Sequence, residues 1–286
     1  WEPISQVMDF SSLQQVKWIT LGGVGELPTV AEGAAYTEMT WDDSTETASF
    51  VKKGGYLGIT LEAIDKDETR KLQAAPRALA QAAWLTLSKA VSGIFTDNNG
   101  AGPTLADGLT LFHASHGNLG STALSITEWA AVRAAMRKQT ELNSGERLGM
   151  ITAPKFLLVP PELEITALKV LASQYDFSYT ASGAPAAPDN VFAEGDQAMT
   201  RLESARRRVI VVDLWTDSNN WAAVADPNLY PTIGIGFRYG RTPEIFSVAS
   251  PTAGLMFTND TMPVKVRYFF AVGAMDYRGM YKENVS

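Results

Sequence analysis

The stretch Pro263–Lys282, PVKVRYFFAVGAMDYRGMYK, decides the fold class. Val264, Val266, Tyr268, Phe270 and Val272 fall on one face; Lys265, Arg267 and Phe269 fall on the other. Period-two alternation over this length predicts a sheet strand with one strongly apolar face. The strand runs into a compact Asp276-Tyr277-Arg278-Gly279 turn. Upstream, VIVVD (209–213), WAAVA (221–225), TIGIGF (232–237) and EIFSV (244–248) read as further short strands. These strands mix with helices without a strict βαβ alternation, so the chain is of the α+β class and not a doubly wound sheet.

The clearest helix is predicted over 65–95. Asp65 or Asp67 caps its start, and Asp65, Asp67 and Glu68 suit the positive end of its dipole. Pro76 belongs in a first turn. Leu72, Leu79, Ala83 and Leu87 form a stripe facing a core. Gly93 and Asp97-Asn98-Asn99-Gly100 end the helix, and 98–122 is a loop region. A second helix is expected over about 127–140, capped near Ser125 and carrying Trp129, Val132 and Met136 on one face. LGMITAPKFLLVP (148–160) reads as a strand, and Pro161 opens a third helix, ELEITALKVLAS. Residues 176–190 are a Ser-, Ala-, Gly- and Pro-rich loop.

The N-terminal part differs in composition. Residues 1–68 hold 4 Lys/Arg and 12 Asp/Glu, a net of −8; residues 69–286 hold 20 and 19, a net of +1, and the two sum to the −7 of the chain. Such acidity argues against nucleic-acid binding by this segment and suits either a solvated surface or an arm on a more basic neighbouring subunit. Residues 1–33, with Gly22, Gly23, Gly25, Pro28 and Gly33, read as an extended arm or loop. GGVGE lacks the Lys-Ser/Thr of a phosphate loop. Residues 34–60 read as a long β-hairpin: Met39 and Trp41 alternate with polar residues on the outward strand, Asp42-Asp43-Ser44 supplies the turn, and Phe50 and Val51 lie on the return before Gly54-Gly55. A two-stranded ribbon of that length needs a partner surface.

The 286 residues are enough for one large domain or two intertwined ones. No apolar run approaches the roughly 18 residues of a membrane helix. Trp1-Glu2-Pro3 has no basic n-region of a signal peptide, and a start other than Met implies a cut precursor or a missing start. With no cysteine, disulfides, thiolate chemistry and Cys-based zinc sites are excluded.

Candidate chemistry is sparse. His113 and His116, the only histidines, stand three apart in LFHASHGNLG, with no carboxylate at a known ligand spacing. A structural role is the stronger reading. Ser115 lacks a nucleophile elbow, and Asp42-Asp43-Ser44 lacks calcium-loop spacing. Arg206-Arg207-Arg208, the only basic run, precedes an apolar strand; it is either a solvated strand entrance or a contact for phosphate or for an acidic arm.

In element order and in its C-terminal block, the chain resembles the major capsid (major head) subunits of tailed phages, which have the Hong Kong 97-type fold, and it is most similar to the Mu-like head subunits. Residues 34–60 resemble the family's extended loop and 67–95 its spine helix. SGIFTDNNGAGPTLADG (92–108) is similar to the helix end and its Gly-Asn-rich loop, and LLVPPELEITALKVL (157–171) to the strand–proline–helix opening of the axial domain. WAAVADPNLYPTIGIGFRYGRTPEIFSV (221–248) and VRYFFAVGAMDYRGMYK (266–282) resemble the C-terminal part. The resemblance implies an N-terminal arm (1–33), an extended hairpin loop (34–60), a peripheral domain with the spine helix (61–122), an axial domain of helices around a mixed sheet (123–235) and a return to the peripheral domain (236–286).

The function implied is self-assembly into hexamers and pentamers of an icosahedral head enclosing double-stranded DNA, with no catalytic, cofactor or metal site. The missing Met fits a family whose N-terminal scaffolding segment is removed. Implied partners are other copies of the chain, a portal, scaffold or maturation protease, a decoration protein, and DNA held without sequence specificity; no membrane is involved. The location implied is the virion, after assembly in the host cytoplasm. Expected intersubunit contacts are Met39, Trp41, Phe50, Lys52, Lys53, Arg206, Arg207 and Arg208. Two alternatives stand beside this reading: a nanocompartment (encapsulin-like) shell, and a soluble metal-dependent enzyme using His113 and His116.

Overall fold

The computed structural model describes residues 1–286 except 24, 67–73, 176–188, 196, 249, 251, 253 and 286. Its longest strand is the one the alternation predicts: β11, Thr261–Ala274. Val264, Val266, Tyr268 and Phe270 are buried, while Lys265 is exposed. On one edge β11 pairs antiparallel with β4 (Val51–Thr60), from Thr261↔Thr60 to Phe270↔Val51. On the other edge it pairs with β10 (Glu244–Ser247) and then with β9 (Ile233–Arg238). β1 (Gln6–Asp9) adds to β9 in parallel. The end of this sheet formed by β4, β10 and the first half of β11 is a three-stranded blade.

Helix α2 (Ala75–Thr96) lies on the apolar face of β11, with Pro76 in its first turn as expected. Ala83, Leu87 and Val91 meet Val266, Tyr268 and Phe270 in the first core. The helix runs through Gly93 to Thr96 and stops at Asp97, where Asn98 (φ 51°), Asn99 (φ 57°) and Gly100 (φ 87°) turn the chain left-handed. Asp65 does not cap it. Asp65 ends a separate short helix, α1 (Leu61–Asp65), whose cap is the Thr60 hydroxyl. Asp67, Glu68 and Leu72 lie outside the described residues.

A second sheet has the order β5-β12-β8-β6-β7. Its strands are β5 (Leu119–Gly120), β6 (Pro154–Val159), β7 (Val209–Val211), β8 (Trp221–Ala225) and β12 (Met280–Glu283). Phe156, Leu158, Ala222, Val224 and Met280 face the first core. Leu157, Val159, Trp221, Ala223 and Ala225 face a second core under α3 (Ile126–Arg137), α4 (Glu164–Ala172) and α5 (Ala198–Arg208). Both faces are covered, which is why WAAVA and FLLV are continuous apolar runs without alternation. The Ser125 hydroxyl caps α3 at Glu128 N, and Trp129, Val132 and Met136 are fully buried. The strand expected over 148–160 is shorter: a 3₁₀ turn, Gly149–Thr152, precedes β6.

The N-terminal third departs from expectation. Residues 1–33 are not all extended arm or loop: β1 joins the first sheet, and β2 (Val16–Leu21) buries Val16 and Trp18. The hairpin is also displaced. β2 pairs antiparallel with β3 (Asp43–Ala48), from Val16↔Ala48 to Leu21↔Asp43, and residues 22–42 connect them. Asp43 and Ser44 open a strand instead of making a turn, and β4 pairs with β11 rather than with residues 34–42. The physical cause is in the glycines of TIGIGF and AVGA. Gly234 and Gly273 are cross-strand partners, and a Cβ on either would run into the Trp18 ring. A Cβ on Gly236 would lie 2.8 Å from Phe10. The glycines therefore leave a flat seat for aromatic rings from the N-terminal segment. Trp18 fills it with Val16, Ala48 and Ala271 in a third cluster. Among the described residues no helix is long and apolar enough to cross a membrane.

Candidate assembly surface

The Asp276-Tyr277-Arg278-Gly279 turn is a buried polar knot joining both sheets. Arg278 donates to both Asp276 oxygens (3.2 and 3.1 Å) and from Nε to Thr140 O (2.8 Å). The Tyr230 hydroxyl donates to Asp276 at 2.7 Å, and burial, then the neighbouring carboxylate, raises that phenol's pKa far above its usual value. Gly279 has no room for a side chain against Thr232 and Tyr230. Lys282 is 2% exposed and donates to Phe95 O (2.7 Å) and Gly100 O (2.8 Å), closing the end of α2; burial pulls its ammonium down to about 8.

His116 belongs to the same knot. Its ring stacks on Tyr277 at 3.9 Å, with Nδ1 3.2 Å from Leu111 O and Nε2 2.8 Å from Asp107. Both nitrogens are committed to protein oxygens, and Asp107 is the carboxylate that spacing alone missed. Burial works against the Asp107 carboxylate, but the Leu109 N–H and the His116 ring outweigh it and hold the group below its usual range. His113 Nδ1 accepts from Ser115 N at 3.1 Å. No group of three or more His, Cys, Asp or Glu side chains suited to a metal occurs among the described residues.

The surface that stands out lies elsewhere. The loop 22–42 carries Glu26, Glu32, Glu38 and Asp42 and no Lys or Arg. It exposes Leu27 (76%), Tyr36 (89%) and Trp41 (67%), and Ile19 and Leu21 at its base are exposed as well. Met39 is half-buried in the same loop. The loop's base is held at Gly22 N→Asp42 O and by Asn143 donating to Thr40 O.

The solvent face of the blade is opposite in character. Register puts Lys52 beside Phe269, Arg267 between Gly54 and Glu244, and Lys265 between Tyr56 and Phe246. The Arg267 guanidinium stands 5.0 Å over Phe246, 5.4 Å over Tyr239 and 5.6 Å over Phe269. Lys265 stands 5.3 Å over Phe246, and Arg238 4.3 Å over Tyr239. Glu244 fixes Arg267 at 2.6 Å. A groove of about 290 Å³ runs over Gly54-Gly55, lined by Lys52, Lys53, Tyr56, Lys265 and Arg267. A Cβ at Gly54 would lie 2.6 Å from Val266 O, so the groove floor is bare backbone.

The expected contact residues thus separate. Lys52 and Lys53 line the blade groove, and Trp41 and Met39 lie in the loop. Phe50 is half-buried within its own chain, edge-on to Phe10 at 5.7 Å. Arg206, Arg207 and Arg208 stand directly before the apolar strand β7, as expected, but on a helix. They form the last turn of α5, a helix missed because RLESARRR is too polar to show an apolar stripe. Arg208 pairs with Glu194 at 2.7 Å; Arg206 and Arg207 are exposed. The signal that would have located the hairpin was the alternation of VKWITL (16–21).

Two sheets sharing a core, a long helix on the apolar face of the first and an outlying acidic loop have the architecture of a shell subunit of the Hong Kong 97-type capsid fold. Solved structures agree on the fold. A Mycobacterium phage Adephagia structure is similar with a TM-score of 0.59 at 12% identity, covering 99% of this chain and 88% of that one. A Microbacterium phage Oxtober96 structure gives 0.54 at 11%, covering 96% and 84%. The capsid of Myoviridae phage XM1 gives 0.52 at 11%, covering 96% and 86%. A search of curated proteins finds none that matches. The sequence model of the phage capsid protein family matches residues 44–282, well over half of the chain. The chain belongs to that family and is a structural component of a phage head.

Proposed function

We propose that this chain is the major head subunit, which self-assembles as hexamers and pentamers into an icosahedral shell around double-stranded DNA. In this reading the loop 22–42 of one copy lies on the blade of the next. The observation that carries it is the complementarity of the two surfaces. A loop with four carboxylates and exposed Leu27, Tyr36 and Trp41 matches a groove lined by Lys52, Lys53, Lys265 and Arg267 among aromatic rings. Apolar side chains this exposed mark a contact surface. Shell strength then comes from many repeated weak contacts.

The subunit divides into a peripheral part (61–122 and 236–286) and an axial part (123–235). It takes no cofactor and performs no catalysis. Its partners are other copies, a portal, scaffold or maturation protease, and a decoration protein, and it is assembled in the host cytoplasm. DNA is confined by the wall and not read by sequence; Arg206 and Arg207 are available for phosphate.

Trp41→Asp tests the loop contact. The variant should remain folded by circular dichroism yet fail to form shells. Lys265→Glu should weaken assembly in a salt-dependent way, with partial recovery when Glu38→Lys is added. Shells of Trp41→Asp at normal yield would remove the loop from the contact.

A further inference from the structure

Glu283 ends β12 and is 1% exposed. Its Oε2 accepts the Thr122 N–H at 2.7 Å, while Oε1 is buried without a hydrogen-bond partner. Gly120, its partner in the parallel β5–β12 pair, lies directly beneath; a Cβ there would collide with both carboxyl oxygens.

The titratable groups that raise it are acids, and the one neighbouring cation is engaged elsewhere. Tyr281 lies two residues earlier on the same strand, and burial, then the charges of Glu283 and Glu128, pushes its phenol up to about 12. Glu128 comes from the first turn of α3, and its like charge raises the Glu283 carboxyl further. From β8 comes Trp221, whose indole N–H is committed to Thr122 O at 3.0 Å. Lys282, the adjacent cation, donates instead to Phe95 O and Gly100 O. Among the described residues no Lys or Arg forms an ion pair with Glu283.

A carboxyl buried with one oxygen unpartnered and no cation beside it does not ionise at low cost. We propose that Glu283 is a proton-held latch: its carboxyl, closed in between β5 and β8 with no cation beside it, is held neutral while it accepts the Thr122 N–H and fastens the C-terminal strand to the 119–128 segment, and loss of the proton loosens that seam. Burial is the largest influence and raises the group from 4.5 to about 7; Glu128 adds to it, and the Thr122 N–H opposes it. The sign follows. Between 4.5 and about 7 the closed seam holds a proton that the open chain has released, so the stabilisation falls as pH rises through this window and is lost above it. The seam comprises Glu283–Val285, fixed by Asn284 N→Gly120 O and Val285 N→Asn220 Oδ1, and the 119–128 segment. This inference does not depend on how copies assemble.

Hydrogen exchange of the purified chain, read by mass spectrometry between pH 5.5 and 8 and corrected for intrinsic rates, tests it. Peptides covering 119–128 and 280–285 should lose protection on the order of tenfold or more across that range, following the raised ionisation of a single group. Glu283→Gln, neutral at every pH, should be flat. A flat wild-type profile, or an unchanged slope in Glu283→Gln, overturns the proposal. If Glu283→Gln fails to fold, Glu128→Gln decides: removing the like charge should shrink the pH effect, and an unchanged profile overturns the latch.

Discussion

Replacing Arg278 with alanine removes the cation at the centre of the C-terminal knot. Arg278 is 8% exposed and Asp276 is 5% exposed, so the carboxylate is left in a buried site with only the Tyr230 hydroxyl and the Arg278 backbone N–H. Thr140 O loses its donor as well. Breaking a buried pair on one side costs about 3–5 kcal/mol, because the remaining charge is uncompensated. Against a typical stability of about 5–15 kcal/mol this is a large fraction. At about 2–4 °C per kcal/mol for a chain of this size class, Tm should fall by about 6–20 °C. The assay is thermal unfolding of the unassembled subunit, extended to a double-mutant cycle. Asp276→Asn with Arg278→Ala removes both charges and should recover at least half of the loss, since most of it is the orphaned carboxylate. A Tm change in Arg278→Ala below about 2 °C, or a double variant worse than the single one, would refute the reasoning.

Trp18→Ala empties the seat on Gly234 and Gly273; a loss of about 3–5 kcal/mol is expected, appearing first as faster hydrogen exchange in residues 16–21 and 43–48. His116→Ala removes the stack on Tyr277 and the bonds to Asp107 and Leu111 O, and should lower Tm while leaving shell yield unchanged in electron microscopy. Loss of an enzymatic activity in that variant would instead favour the metal-dependent reading.

The parts of the fold legible in the sequence are those where one rule dominates. The alternation of Val264 to Phe270 marked β11, because one face of that strand packs on a helix and the other meets water. Ser125 and the Trp129-Val132-Met136 spacing marked α3 for the same reason. The hairpin was misplaced because its partners are chosen by tertiary contacts. Met39 and Trp41 alternate as a strand would, yet β3 takes its partner from residues 16–21, where Trp18 fits the glycine seat. β4 was read as the hairpin's return strand, but its Lys52-to-Gly58 stretch completes the edge of β11. Helix α5 carries only one fully buried residue, Ala205, and so offered no stripe to read. Of the candidate surface, the loop's acidity and the exposed Trp41 were legible. The cation–aromatic face was not, since Tyr56, Tyr239, Phe246, Lys265 and Arg267 come from four separate segments that only strand register and the packing of Tyr239 bring together.

Electron microscopy of the purified native material tests the central claim most directly. The assembly account predicts closed shells tens of nanometres wide, containing nucleic acid when isolated from virions. Discrete particles of one to four subunits under every salt condition tried would contradict it.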